Sequence, residues 1–193
     1  MAKSDHVVQL FDTAESLGDS VAAFLCDGLA RGDVLLVVAR GIHVQAITTA
    51  LANHDVPIQR LLESGRLVML DAVSVLRQLL LEGMPGQERF DRVVGDLVRN
   101  LASNGACVRI YGEMVDVLAE QMEFAAAIKL EELWNALSGS IPITLLCGYA
   151  SAHFALTSAA DRLREVCACH DRVIQGQSDI LGSWVLNQYS AAT

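Results

Sequence analysis

The sequence predicts an α/β protein, a three-layer sandwich with a mostly parallel central sheet of five or more strands. Short apolar runs alternate along the chain with segments of helical periodicity. The run 34–38 is continuously apolar, which is typical of a strand buried on both faces of a parallel sheet. Helical segments of ten or more residues separate the apolar runs, and this favours right-handed crossover connections.

The first half of the chain contains three predicted strands and three predicted helices. Asp12 is the expected N-cap of the first helix, with Glu15 as its capping-box partner, and that helix ends near Gly32. The apolar positions of residues 44–51 predict the second helix, and residues 72–81 form the third. The predicted strands cover 6–11, 33–39 and 66–70.

The second half repeats this alternation after a break at residues 83–86. The longest helical pattern, 115–137, predicts one continuous helix, and Ser158 is the expected cap of a last helix that reaches Ile174. The tail from residue 175 is polar and then amphipathic. The remaining predicted elements are a helix at 87–101 and strands at 107–111 and 142–149.

Length and composition predict one domain that stays in the cytoplasm. With 193 residues, the expected organisation is a domain over 1–175 and a tail over 176–193. The net charge of −9 argues against binding to nucleic acid or to an anionic membrane. No run approaches the roughly 18 apolar residues of a membrane span, and the N-terminus lacks a signal-peptide core. The odd number of cysteines, 5, favours reduced thiols.

Polar side chains follow the predicted strands, at the edge where an open parallel sheet binds its ligands. They form an acid-rich rim that also carries a guanidinium, an imidazole, a thiol and a phenol, and we expect it to bind a small polar molecule. The alternative is that they are ordinary loop residues and helix caps. The rim consists of Asp12, Arg40, His43, Asp71, Glu113, Cys147 and Tyr149.

Nucleotide and metal signatures are missing from the sequence. The segment 11–20 has one glycine and no lysine, so a phosphate-binding loop is absent and ATP hydrolysis is disfavoured. Cys167, Cys169 and His170 resemble a metal-binding tract, but the two cysteines would point about 200° apart on a helix. We therefore expect no metal and no cofactor.

Two further groups allow more than one interpretation. His170 and Glu131 both fall at apolar helical faces, so each is either a structurally paired core residue or an anchor for a ligand. A Cys147 nucleophile with His153 or His170 as its base is conceivable, although no third, orienting group can be identified.

Three stretches of the chain resemble the MEDS family, the sensory domain of methanogens, methylotrophs and the dichloromethane-responsive regulator. The stretches are 6–11, 108–118 continuing to 130–137, and 145–149, joined by the later pair Val166-Cys167 and His170. The resemblance implies a RecA-like fold related to KaiC-type circadian-clock ATPases. It also implies sensing of small organic compounds, with hydrocarbon derivatives proposed. Carried over by position, the residues of interest are His6, Arg109, Glu113, Glu131, Trp134, Cys147, Tyr149 and His170.

The leading functional expectation is a stand-alone sensor rather than an enzyme. A small organic ligand would bind at the carboxyl edge of the sheet and shift a conformational equilibrium that engages a signalling partner, such as a histidine kinase or a sigma-factor regulator. The tail, with Trp184 and Tyr189, would contact a second subunit or that partner, or else pack on its own domain. The alternatives are a ligand-free interaction adaptor and a small Cys147-dependent enzyme.

Overall fold

A computed structural model describes residues 5–154 and 160–174, and it confirms the predicted α/β class. The central sheet has six strands in the order β3-β2-β6-β7-β1-β8, and all of its pairings are parallel. The strands of this sheet are β1 (Asp5–Phe11), β2 (Val34–Ala39), β3 (Leu67–Asp71), β6 (Val108–Gly112), β7 (Ile143–Ala150) and β8 (Arg172–Ile174). A separate antiparallel hairpin joins β4 (Leu80–Leu81) to β5 (Met84–Pro85).

Helices cover both faces of the sheet, which gives the predicted three layers. One apolar core lies between the sheet and α1–α3, and a second, larger core lies between the sheet and α4–α9. The helices are α1 (Ala14–Arg31), α2 (Gly41–Asn53), α3 (Ile58–Glu63), α4 (Ala72–Leu79), α5 (Gln87–Phe90), α6 (Asp96–Leu101), α7 (Met114–Glu120), α8 (Phe124–Ser138) and α9 (Ala160–Ala168). A π-helical segment (Asp91–Gly95) connects α5 to α6, and a 3₁₀ turn (Ser151–Phe154) follows β7.

The first helix begins one residue later than the sequence predicts. Thr13, not Asp12, is the N-cap, because its hydroxyl accepts a hydrogen bond from the Ser16 amide at 3.1 Å. The predicted end is confirmed, since Gly32 terminates the helix at φ +84°.

Two predicted helices are interrupted. The expected helix over 72–81 ends at Leu79, because Glu82 and Gly83 both take positive φ and turn the chain into the β4–β5 hairpin. The expected helix over 115–137 is two helices, α7 and α8, since Met122 has a φ of +64° and breaks the helical path.

The last predicted helix also ends early, and part of it is a strand. Helix α9 stops at Ala168, and Arg172–Ile174 instead pairs with β1 as the sixth strand. Asp171 fixes this connection, because its amide donates to the His6 carbonyl at 2.7 Å and its carboxylate accepts from the His6 amide at 2.9 Å. Ser158 and the tail from residue 175 lie outside the described residues.

The connections reverse direction between β2 and β6. From β2 the chain moves outward through α2 and α3 to the edge strand β3, whereas from β6 it moves through α7 and α8 to β7 on the other side. Such a reversal opens a crevice at the carboxyl ends of the two strands.

None of the helices within 5–154 and 160–174 has the length and apolarity needed to cross a bilayer.

Candidate functional site

The structure separates the side chains that the sequence predicts to bind ligand into four places. Arg40, His43 and Glu113 lie at the carboxyl edge, and Arg109 lies near the amino edge. Trp134 belongs to the core, where it packs edge-on against Phe90 with ring centroids 5.1 Å apart. The other five form a buried cluster under the sheet, on the α8 side: His6, Glu131, Cys147, Tyr149 and His170.

At the carboxyl edge, the fully buried Glu113 carboxylate collects hydrogen bonds from three side chains. Arg40 donates to it through both its backbone amide and its Nε, the latter at 3.2 Å. His43 Nδ1 lies 2.5 Å from Glu113, and the Tyr111 hydroxyl donates to it at 3.0 Å. Tyr111 reaches this carboxylate across β7 because residue 148 is glycine: a Cβ there would lie 2.7 Å from the Tyr111 oxygen.

A second buried carboxylate, Asp116, extends this network to β7. It pairs with the Arg40 guanidinium and accepts a hydrogen bond from the Ala150 amide at 2.7 Å, while His153 Nε2 lies 2.9 Å away. Arg40 also pairs with the more exposed Glu120 at 2.9 Å. Arg40, Glu113 and Asp116 therefore pair with one another across the crevice between β2 and β6, whereas His153 Nε2 is buried without a hydrogen-bond partner.

Burial and charge shift two pKa values in this network. Burial alone would lower the pKa of Arg40, but Asp116 and Glu113 outweigh it and raise that pKa. Burial, reinforced by the Glu113 charge, raises the pKa of Tyr111 well above its usual value. Tyr111 therefore stays protonated and serves as a hydrogen-bond donor.

The buried cluster is built around the Glu131 carboxylate of α8. His6 Nε2 lies 3.3 Å from Oε2 of Glu131, and the Cys147 thiol donates to the same oxygen at 3.4 Å. The other oxygen, Oε1, accepts from the Tyr149 hydroxyl at 2.9 Å and lies 3.3 Å from His170 Nε2. His6 Nε2 and Cys147 Sγ are themselves 3.3 Å apart, so the four groups share one small volume.

In both cluster histidines, His6 and His170, the Nδ1 atom faces a hydrogen-bond acceptor that is fixed in position. His170 Nδ1 donates to the Val166 carbonyl at 2.7 Å. Asn135 donates its amide nitrogen to the Cys169 carbonyl at 2.9 Å, so its oxygen faces His6 Nδ1 at 2.8 Å. Both Nδ1 atoms must therefore carry hydrogen, and both Nε2 atoms point into the cluster.

Ionisation within the cluster follows from burial and from the two imidazoles. Burial would raise the pKa of Glu131, but His170 and His6 outweigh burial and lower it. Burial would lower the pKa of His170, and the Glu131 charge raises it instead. The pKa values of Cys147 and Tyr149 lie well above their usual ranges, first through burial and then through Glu131.

Arg109 is a paired, buried residue rather than part of the carboxyl edge. Its Nε donates to Asp33 at 2.8 Å, and its Nη1 donates to the Phe24 carbonyl at 3.1 Å and lies 2.9 Å from Asp27. It crosses α1 at Gly28, where an added Cβ would lie 2.4 Å from the Arg109 side chain. Arg109 thus ties β6 to α1.

Arg109 also lines a groove of about 460 Å³ between α1 and the strands β1 and β8. Its lining includes Val7, Phe24 and Gln9. Gln9 is 2% exposed, and its Oε1 has no hydrogen-bond partner. The remaining lining residues are Asp5, Ser20, Ala23, Asp27, Arg31, Thr144, Arg172 and Ile174. We call this cavity the α1–β8 groove.

Sequence reasoning missed several members of these groups. Asp116 and Asn135 were detectable in principle, because they lie three residues after Glu113 and four after Glu131, on the same helical faces. Gln9 carried no such signal, since it is one polar residue inside an apolar strand.

The family comparison agrees with this architecture. No curated protein matches the chain significantly. The sequence profile of the MEDS family, described as the MEthanogen/methylotroph, DcmR Sensory domain, matches residues 5–171. This range contains five of the six strands of the central sheet: β1, β2, β3, β6 and β7. It also contains the whole buried cluster. The chain therefore belongs to the MEDS family of sensory domains.

Proposed function

We propose that this sensory domain binds a small organic molecule in the α1–β8 groove and transmits its occupancy to a signalling protein. The observation that carries the proposal is the buried Gln9 amide, whose Oε1 lacks a partner beneath a groove of about 460 Å³. A volume of this order is typical of sites for small ligands. An unsatisfied buried oxygen costs about 1–3 kcal/mol, which a suitable ligand would recover.

The groove favours a ligand with a short apolar body and a hydrogen-bond donor. Val7, Phe24 and Ile174 offer apolar contact, while Gln9 and Thr144 offer polar groups. Rotation about the last torsion of Gln9 exchanges the two ends of its amide, so a hydroxyl or N–H in the groove can reach the oxygen. Short-chain alcohols, amides and amines fit this description.

The carboxyl edge, where the sequence predicts the ligand, is the competing location. There Glu113 and Asp116 are fully buried and already paired with Arg40, so a ligand would have to displace an internal ion pair. The groove requires no such displacement, and this supports it as the binding site.

Binding in the groove would act on the position of β8 and α1 relative to each other. Arg172 of β8 and Asp27 of α1 both line the groove, so a bound ligand would favour one spacing of these elements. A ligand that prefers one spacing shifts the population toward it, and a partner such as a histidine kinase or a sigma-factor regulator would read that shift.

A binding screen with two glutamine variants tests the proposal. Short-chain alcohols, amides, amines, carboxylates and chlorinated C1–C3 compounds are screened by saturation-transfer NMR and then titrated by calorimetry. We expect Gln9→Leu to abolish binding of the hits, because it removes the amide at nearly constant volume. Gln45→Leu, the same change in a depression between α1 and α2, should leave binding intact.

A third variant separates the two locations. Arg40→Met removes the guanidinium at the carboxyl edge without touching the groove. Hits that survive Gln9→Leu but are lost in folded Arg40→Met would place the ligand at the carboxyl edge. A screen without any hit would favour the ligand-free adaptor.

A further inference from the structure

We propose that the side chains of His6, Glu131, Cys147 and His170 form a tetrahedral binding site for a divalent transition-metal ion, with Zn²⁺ as the natural occupant. This site is separate from the α1–β8 groove, because it lies on the opposite face of β1, and it stands whether or not the groove binds a ligand. The Cys167/Cys169 tract singled out in the sequence is not part of it, apart from the neighbouring His170.

The spacing of the ligand atoms supports this assignment. Zinc bound at about 2.0–2.1 Å to nitrogen or oxygen and about 2.3 Å to sulfur places tetrahedral ligands about 3.3–3.6 Å apart. His6 Nε2 lies 3.3 Å from both Glu131 Oε2 and Cys147 Sγ, and Cys147 Sγ lies 3.4 Å from Glu131 Oε2. His170 Nε2 closes the group at 3.3 Å from Glu131 Oε1, and all four ligand atoms lie within 4.8 Å of one another.

The orientation of the histidines also fits a metal. Each Nδ1 donates to a fixed acceptor, Val166 O for His170 and Asn135 Oδ1 for His6, so each Nε2 offers its lone pair to the centre. Metal-bound histidines in proteins characteristically have this outer hydrogen bond, which holds the ring and selects the tautomer. The side chain of His170 is fully buried, and its Nε2 has no hydrogen-bond partner. This nitrogen points inward, 3.3 Å from Glu131 Oε1, and it is placed to bind a cation together with that carboxylate.

The ligand set points to zinc and to a closed site. Two imidazoles, one thiolate and one carboxylate are typical zinc ligands, and two anionic ligands neutralise the charge of the ion. On binding, the Cys147 S–H bond breaks, the Zn–S bond forms, and the proton leaves to solvent. With four protein ligands, and Tyr149 already donating to Glu131, no position remains open for a substrate. The ion would join β1, α8, β7 and the segment before β8.

Metal binding by the full chain is the test. The protein is stripped with a chelator under reducing conditions and desalted, and it is then titrated with CoCl₂ and, separately, ZnCl₂. We expect one Zn²⁺ per chain by mass spectrometry of the metal content. We also expect a Co²⁺ complex with tetrahedral visible bands and a thiolate-to-cobalt charge-transfer band. Wild-type protein that retains no stoichiometric metal would overturn the proposal.

Matched variants identify the ligands. Cys147→Ser should abolish the charge-transfer band and weaken zinc binding at least about a hundredfold, whereas Cys169→Ser should change neither. The reverse result would move the site to the sequence tract and refute our ligand assignment. Glu131→Gln, which keeps the shape of the side chain, should also weaken zinc binding. Circular dichroism confirms the fold of each variant, and if Cys147→Ser does not fold, Glu131→Gln and the wild-type cobalt spectrum decide the question.

Discussion

Arg40 forms ion pairs that should contribute very different amounts to the stability of the fold. It pairs with Glu113, which is fully buried, and with Glu120, whose side chain is 60% exposed. Because solvent screens the exposed pair and not the buried one, we expect Glu113→Gln to lower the free energy of unfolding by about 3 kcal/mol. Glu120→Gln should cost less than about 1 kcal/mol. Urea denaturation measures both, and equal losses would contradict this assignment of the carboxyl-edge network.

Cys147 gives a second prediction at the scale of a residue. Its side chain is 1% exposed, and burial raises its pKa well above the usual thiol value, so little reactive thiolate exists at pH 8. In chelator-treated protein, iodoacetamide should label Cys147 at least about tenfold more slowly than the less buried Cys26, as measured by peptide mass spectrometry. Preferential labelling of Cys147 would instead support the alternative of a thiol-dependent enzyme.

The location of a site residue was predictable from sequence only where the residue directly follows a predicted strand. Arg40 and Glu113 directly follow apolar strands, so their meeting at the carboxyl edge could be expected. His6 begins its strand, and its contact with Cys147 depends on the register that pairs Val8 with Cys147. Because that register comes from long-range packing, the buried cluster could not be derived from spacing along the chain.

At the scale of elements, the break between α7 and α8 gives the clearest prediction. Met122 takes a φ of +64°, which is strained for a residue with a Cβ, and its side chain is 54% exposed. Met122→Gly should therefore raise the free energy of unfolding by about 1 kcal/mol. Met122→Ala keeps the Cβ and should bring no such gain. A stabilisation of similar size in both variants would show that backbone strain is not the cause.

The start of α4 gives a pH-dependent prediction. Asp71 accepts hydrogen bonds from the Ser74 amide at 3.1 Å and from the Ser74 hydroxyl at 2.7 Å, and these bonds lower the Asp71 pKa. Asp71→Ala should cost about 1 kcal/mol at pH 7. A lowered folded-state pKa means that the charge-dependent part of this stabilisation is present above the unfolded pKa and is lost as the pH falls through the folded value.

The control for this prediction is Asp71→Asn, which keeps a capping oxygen without the charge. The stability advantage of wild type over Asp71→Asn should shrink as the pH is lowered below about 4, the pKa of an unperturbed aspartate. Thermal unfolding at pH 3 and pH 7 measures it, and an advantage that is independent of pH would refute the charge contribution.

Element types were more predictable than element ends. Five of the strands of the central sheet follow from apolar runs, because such runs reflect burial on both faces. Strand β8 was predicted as helix, since three residues are too few to show a period of two. The break at Met122 was also invisible, because methionine carries no turn signal.

At the scale of the whole molecule, the strand order predicts where local opening occurs. Strands β6 and β7 have neighbours on both sides, whereas β3 and β8 are edge strands. In chelator-treated protein, hydrogen exchange should be slowest in β6 and β7 and faster in β3 and β8, because edges open without global unfolding. Exchange in β8 as slow as that in β7 would contradict this order of local stability.

The two-sided packing of strand β1 limits which insertions and deletions the fold can tolerate. Its side chains alternate, so that His6 and Val8 face the buried cluster and its core, while Val7 and Gln9 face the α1–β8 groove. Deleting a single residue between His6 and Gln9 would turn the residues on one side of the deletion to the opposite face, so that either the His6 imidazole enters the groove or the Gln9 amide enters the core beside the cluster. Insertions and deletions in the MEDS lineage should therefore accumulate in surface connections such as 53–57. They should be rare in β1, because each of its side chains must stay on its own face of the sheet.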